Sequence, residues 1–335
     1  MTQSTVPAAT ADARVPSKLP KWLVDGGPFV ALIAMIVVFT AANPTFLSPG
    51  NVGILLSQLA IPLVIATGLT FVILLGGIDL SIEGVMATSS LLFVLTAAND
   101  RNDLSLGLLA AVLGIAAGSL FGLANGVLNV RFGIPSFMVT LGMGAVGIGV
   151  ATVLFGGRSP RLLDPGLKAI GTGNTLGVAN IFLVALAVLI LGYLVQRFTR
   201  LGRYGYVIGG DEAVAKLSGV SVARYKIGAF VVGGTTSGIA GVLVATQLGV
   251  GSPVIGEGFL FTSITAVVLG GTLLTGGRGG VLRSLVGVAI IVALSNGLIL
   301  MGVNSYVQIA VQGVVIIAAV VVTGWRLRTR VRVIK

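Results

Sequence analysis

"NVGILLSQLAIPLVIATGLTFVILLGGIDLSIEG", residues 51–84, is a long apolar run that ends in two glycines and two carboxylates. A run of this kind matches the roughly 20 residues that carry a helix across a bilayer core. Gly76 and Gly77 are suited to end that helix. Asp79 then stands where it can cap a second helix, with Glu83 just inside the positive end. These are two of only ten acidic residues in the chain. A carboxylate at the bilayer centre costs about 2.5–3.5 kcal/mol on insertion scales, so a helix end or a watery rim is the place for it. The stretch therefore reads as helix, break, helix. The break is either a cytoplasmic turn or an intramembrane element near a pathway or gate.

The pattern repeats outward from there. Hydrophobic residues make up 55% of the 335 and charged residues 9%, with a mean hydropathy of +1.07. A soluble domain carries about 25% charged residues. Ten apolar spans can be drawn, near 26–45, 51–75, 80–98, 104–128, 134–156, 178–198, 224–247, 257–275, 279–301 and 304–324. The expectation is an all-α polytopic membrane protein of about ten transmembrane helices, its membrane domain covering 26–324. Residues 1–25 read as a disordered cytoplasmic tail and 325–335 as a basic cytoplasmic one. With both termini in the cytoplasm, only Arg101, Arg158, Arg161 and Lys168 of the 21 Lys and Arg fall outside. That asymmetry follows the positive-inside rule and supports the even span count. It also accounts for the net charge of +11 without nucleic acid, since no basic segment alternates with aromatics. "GLANGVLNVRFGIPSFMV" (122–139) echoes "ALSNGLILMGVNSYVQIAV" (293–311), pairing Asn125 with Asn296. The two run in opposite directions across the membrane, which suggests an inverted repeat; two glycine-rich helices also match in this way by chance.

The most polar connection is "TRLGRYGYVIGGDEAVAKLSGVSVARYK", residues 199–226. Within it, Asp211 is a good N-cap and Glu212 sits in the positive first turn. Glu212 and Lys216 are four apart in the favourable order. Gly219 is placed to end the helix in the left-handed conformation. Val214 and Leu217 form one small apolar face. A helix this short is unstable alone in water, so it docks either on its own membrane domain or on a partner.

This loop resembles the cytoplasmic coupling loop of permeases in the ribose/xylose/galactose class of ABC importers. Four other stretches agree in order: "LLGGIDLSIEG" (74–84), "ANGVLNVRFGIPSFMVTLGM" (124–143), "AVVLGGTLLTGGRGG" (266–280) and "NGLILMGVNSYVQIAVQGVVIIAAV" (296–320). Branched-chain amino acid permeases are more distant siblings. The resemblance implies a bacterial inner-membrane subunit with three partners. They are a separate ABC ATPase that binds ATP and Mg, a periplasmic or lipid-anchored sugar-binding protein, and a second permease copy forming a homo- or heterodimer, all in contact with membrane lipid. It assigns Gly209, Gly210, Asp211, Ala213, Leu217, Ser218 and Gly219 to the coupling pattern, beside Glu212 and Lys216. Asp211 stands where family members often carry Asn. Leu260, Phe261 and Thr262 stand where the family often has Glu-Leu-Asp, and Glu257 is the nearest carboxylate.

The chain has no G-x-x-x-x-G-K-S/T phosphate loop, in line with an ATPase in trans. It has no His and no Cys, which removes the usual nucleophile–base pairs and zinc sites. No catalytic residue, metal or cofactor of its own is expected. Neutral polyols are held by hydrogen-bonding and aromatic side chains. The candidate pathway or gate residues are Asp79, Glu83, Asn125, Asn296, Gln308 and Gln312. Polar residues of this kind also tie helix to helix. The competing class is an ion-coupled secondary transporter, for which Asp79, Glu83 and Glu257 are the only membrane carboxylates available.

Overall fold

A computed structural model describes residues 21–304, 306–315 and 317. Residues 1–20, the end of the tenth expected span and the basic tail 325–335 lie outside the described residues.

The chain is mostly helical. In order come α1 (Lys21–Ala42), a 3-10 turn (Pro44–Leu47), α2 (Pro49–Leu74), α3 (Ile82–Thr96), α4 (Leu108–Arg131), α5 (Ser136–Phe155) and α6 (Pro165–Thr172). A two-residue hairpin (β1, Asn174–Thr175; β2, Val178–Ala179) leads to α7 (Asn180–Phe198), α8 (Arg200–Gly210) and α9 (Glu212–Leu217). The remainder is α10 (Val222–Leu248), α11 (Phe259–Leu269), α12 (Val281–Leu300) and α13 (Tyr306–Val315). Among the described residues, six helices are long and apolar enough to cross a membrane: α2, α4, α5, α7, α10 and α12. Four shorter apolar helices accompany them, at Gly26–Ala42, Ile82–Thr96, Phe259–Leu269 and Tyr306–Val315.

Helix α2 is capped by the Ser48 hydroxyl, which accepts from the Asn51 amide at 3.3 Å, and it opens on Pro49. From Ala60 to Leu74 every residue of α2 is buried. Helix α10 is its counterpart at the centre. Glycines let it meet α4 backbone to backbone: a Cβ on Gly118 would stand 2.5 Å from the Gly234 carbonyl, and one on Gly122 2.2 Å from that of Phe230. Small residues at such spacing are how membrane helices gain packing when burial from water offers no drive. A smaller cluster of Phe39, Phe46, Ala293 and Leu294 joins α1 to α12.

Two helices are short because the chain breaks beside them. Residues 75–81 are non-helical and run along α5: the Ile78 amide donates to the Ser136 hydroxyl at 3.0 Å, and the Leu80 amide to Thr140 Oγ1 at 2.9 Å. Residues 249–258 are irregular and run back along α3, from Gly251 against Leu91 to Gly256 against Glu83. Helix α11 was expected within a span reaching residue 275; it stops at Leu269, where Gly270 and the left-handed Gly271 (φ +94°) end it. Its 11 residues cover about 16 Å, half of a bilayer core.

At the end remote from α8 and α9, three loops are knitted together. The Leu163 amide donates to the Ala98 carbonyl at 2.8 Å, and Leu162 to Gly249 at 2.9 Å. Asp164 caps α6 through bonds from the Gly166 and Leu167 amides.

Candidate functional site

Two regions collect the candidate residues: the α8–α9 unit and the two chain breaks above it.

In the first, Asp211 is the N-cap of α9, its Oδ1 accepting from the Ala213 amide at 2.9 Å and the Val214 amide at 3.0 Å. Glu212 accepts from Lys216 Nζ at 2.8 Å and, from α10, Lys226 Nζ at 2.6 Å. The hydrogen bond from Lys216, then that from Lys226, holds the Glu212 carboxyl below the ordinary glutamate range. Gly219 takes φ +75° and closes the helix as expected. One side of α9 is anchored by the fully buried Ala215. The opposite side presents Val214 and Leu217, 54% and 89% exposed. Ala213, Lys216 and Ser218 are exposed beside them.

Helix α8 was missed by the sequence reading, which treated 199–210 as loop. Its buried stripe of Gly202, Gly205 and Ile208 has helical spacing, but two glycines carry no hydrophobic signal. Those glycines bring α8 against the membrane helices. A Cβ on Gly209 would stand 1.9 Å from the Leu74 carbonyl and 2.4 Å from the Gly277 amide. The Leu74 carbonyl accepts from Gly277 N at 3.0 Å. A Cβ on Gly276 would meet Gly76 N at 2.8 Å and Gly209 Cα at 2.9 Å. Three backbones thus touch at one point: the end of α2, the end of α8 and the α11–α12 loop. Tyr206 Oη donates to the Gly279 carbonyl at 2.9 Å, and Gln196 Oε1 accepts from the Val281 amide at 3.0 Å, so the start of α12 is gripped as well. Gly210, in contrast, has open space around it.

The second region departs from the expected capping. Ser81, not Asp79, occupies the N-cap of α3, and it makes no side-chain cap bond. Asp79 turns onto it instead: Oδ1 accepts from the Ser81 amide at 2.9 Å and the Ser81 hydroxyl at 2.6 Å. The Ser81 hydroxyl in turn accepts from Asn125 Nδ2 at 2.9 Å, tying the break to α4. Glu83 lies in the first turn of α3, as read, but its carboxylate caps another helix. Oε1 accepts from the Gly258 amide at 3.0 Å and the Leu260 amide at 3.4 Å, at the start of α11. The two broken helices therefore meet at Glu83.

Asp79, Asn125 and Asn296 are 2%, 0% and 3% exposed, all inside the chain's own packing. Asn296 exchanges side-chain amide bonds with Asn51 at 2.8 and 3.1 Å, linking α12 to α2. Gln308 donates to the Val303 carbonyl at 2.7 Å and Gln312 to the Ser295 hydroxyl at 2.8 Å, which pins α13 on α12. The structure brings Asp79, Ser81 and Asn125 together and leaves Asn296, Gln308 and Gln312 apart from them. Among the described residues no group of three His, Cys, Asp or Glu is placed to hold a metal.

Beneath the first break lies a cavity of about 260 Å³, lined by Gly76, Gly77, Asn129, Ser136, Lys226 and Phe230 among others. Through Lys226 it adjoins the Glu212 end of α9.

Residues 51–320 match the family model described as branched-chain amino acid transport system / permease component. The chain is 38% identical to the ribose import permease protein of Bacillus subtilis over 88% of this chain and 91% of that one. It is 33% identical to the ribose import permease protein of Escherichia coli K12, over 90% and 94% of the two chains. The L-arabinose ABC transporter permease protein of Azospirillum brasilense is 31% identical, over 96% and 94%. No solved structure matches the chain.

Proposed function

The chain belongs to the family described as branched-chain amino acid transport system / permease component, and on that premise we propose how it works. It is a multi-pass inner-membrane protein, the membrane-spanning subunit of an ATP-driven, binding-protein-dependent importer. Its substrate is a monosaccharide or related polyol, the class named for its relatives in Bacillus, Escherichia and Azospirillum. No Lys or Arg stands in the middle of a described membrane-length helix. A passage without fixed cations suits a neutral polyol better than an amino acid carboxylate.

The six long and four short apolar helices form ten membrane segments, with the start of α1 on the side of α8 and α9. The basic residues of that side make it the cytoplasmic one. The broken segments, α3 and α11, are the third and eighth, equivalent places in two halves of five. This is the arrangement of an inverted repeat, in which short interrupted segments mark the working site.

The observation that carries the proposal is the exposed Val214–Leu217 face on α9, backed by Ala215 and the Glu212 ion pairs. It is a preformed apolar contact for a separate ATPase, which supplies ATP and Mg chemistry. Closure of that ATPase pushes α9, and the Gly209 junction passes the push to α2 and the α11–α12 loop. A binding protein delivers substrate at the opposite face, and a second permease copy completes the passage. The test is Ala213→Cys in this cysteine-free chain, crosslinked to the ATPase of the same transporter. A specific adduct in the active complex supports the reading; an active complex with no adduct rejects it.

A further inference from the structure

Glu257 is the one of Asp79, Glu83 and Glu257 that is exposed, and among the described residues its carboxylate has no hydrogen-bond or ion-pair partner. Its depth follows from the packing. Gly84, the neighbour of Glu83, sits against Gly144 and Gly147: a Cβ on Gly84 would stand 2.2 Å from the Gly144 carbonyl. Those two glycines lie near the midpoint of the twenty-residue α5, a helix about 30 Å long. Gly256 lies against the backbone of Glu83, where a Cβ would stand 2.8 Å from the Glu83 Cα, and Gly258 N bonds to the Glu83 carboxylate. Residues 256–258 are therefore at mid-membrane depth. They are also irregular backbone, with Glu257 and Gly258 exposed.

Neither property is compatible with lipid. A carboxylate facing hydrocarbon at the bilayer centre is strongly disfavoured, and irregular backbone at that depth is tolerated only inside protein or against a water-filled space. One turn into α11, Phe261 is 69% exposed beside them. We propose that Glu257 and Phe261 line the aqueous passage and form a sugar contact in it, the carboxylate accepting from hydroxyls and the ring supplying an apolar platform. Glu83 fixes this contact in place by holding the start of α11. The substrate part of this inference rests on the importer reading above; the placement against water does not.

The test uses the assembled complex in lipid vesicles and the natural absence of cysteine. Glu257→Cys and Phe261→Cys are reacted with a membrane-impermeant, positively charged methanethiosulfonate, with and without ATP, against Leu120→Cys. Leu120 is 64% exposed near the middle of α4 and serves as the lipid-facing reference. Thiols in water ionise and react, so both passage variants are expected to label roughly ten-fold faster or more than the reference in at least one nucleotide state. Labelling no faster than Leu120→Cys in both states overturns the placement, even if the complex imports sugar normally. In a complex shown to import D-ribose, Glu257→Gln is expected to raise the KM for uptake about ten-fold with the complex still assembled. An unchanged KM overturns the sugar contact. A complex that labels as expected yet imports no monosaccharide refutes the importer reading and leaves the passage intact.

Discussion

Asp79 is buried with no ion-pair partner among the described residues, and its worth lies in two bonds from Ser81. An amide oxygen can accept both, more weakly than a carboxylate, so Asp79→Asn is expected to assemble and largely to retain folding. Asp79→Leu leaves the Ser81 amide and hydroxyl unpaired at a cost of about 1–3 kcal/mol each, and purified yield and melting temperature should both fall. Should Asp79→Asn assemble normally yet abolish uptake, the charge itself acts in transport. Glu212 gives the pH prediction. Its carboxyl is held below the usual range by Lys216 and then Lys226. A depressed carboxylate contributes order that is fully present above its unfolded pKa and is lost as pH falls through the folded one. A spin label at Ala213→Cys should therefore stay ordered from neutral pH down past the ordinary glutamate range and loosen only below it. Loosening already near neutral pH would contradict the pairing. Asp211, Glu212, Lys216 and Gly219 were legible in the sequence because capping and pairing within one turn are local. The tie from Ser81 to Asn125 and the partners of Glu83 were not, because they lie on α4 and at the start of α11, which only the fold brings near.

Among elements, the proposed coupling rests on α8 and α9. Gly209→Ala pushes a methyl into the Leu74 carbonyl and the Gly277 amide. Overpacking of this kind costs about 1–3 kcal/mol. The expected outcome is a complex that still binds its ATPase but loses the dependence of ATP hydrolysis on the binding protein; normal stimulation would exclude the junction from coupling. Leu217→Asp is expected to leave the permease folded, since Leu217 is 89% exposed. It should weaken ATPase association about ten-fold or more, the worth of burying one leucine. Co-purification measures it, and undiminished ATPase recovery would move the docking surface elsewhere. The long helices were readable from apolar run length. Helix α6 was announced by Asp164-Pro165, a capping residue followed by a proline, yet passed unread between two spans. Helix α11 was overestimated because "VVLGGTLLTGG" is apolar enough to read as helix, while Gly271, Gly276 and Gly277 take left-handed angles that end one.

At the scale of the whole molecule, a central pair of long helices, α2 and α10, is flanked by two broken segments that meet at Glu83. One end of this arrangement is tied by three backbones to α8, and the other is closed by the linked loops around Ala98, Leu162 and Gly249. The polytopic class and the family resemblance were open to sequence reading because composition and motif order survive without coordinates. The convergence of the breaks was hidden, because it depends on glycines whose lack of a side chain carries no pattern. The central claim is that a push on α9 opens a passage for a sugar delivered from outside. Its most direct test is uptake of radiolabelled D-ribose, with other pentoses and hexoses in parallel, by vesicles holding this chain with its ATPase and binding protein. The account predicts accumulation that requires ATP, the ATPase and the binding protein together, and that Leu217→Asp lowers. Uptake by this chain alone, driven by a proton or sodium gradient, would contradict it.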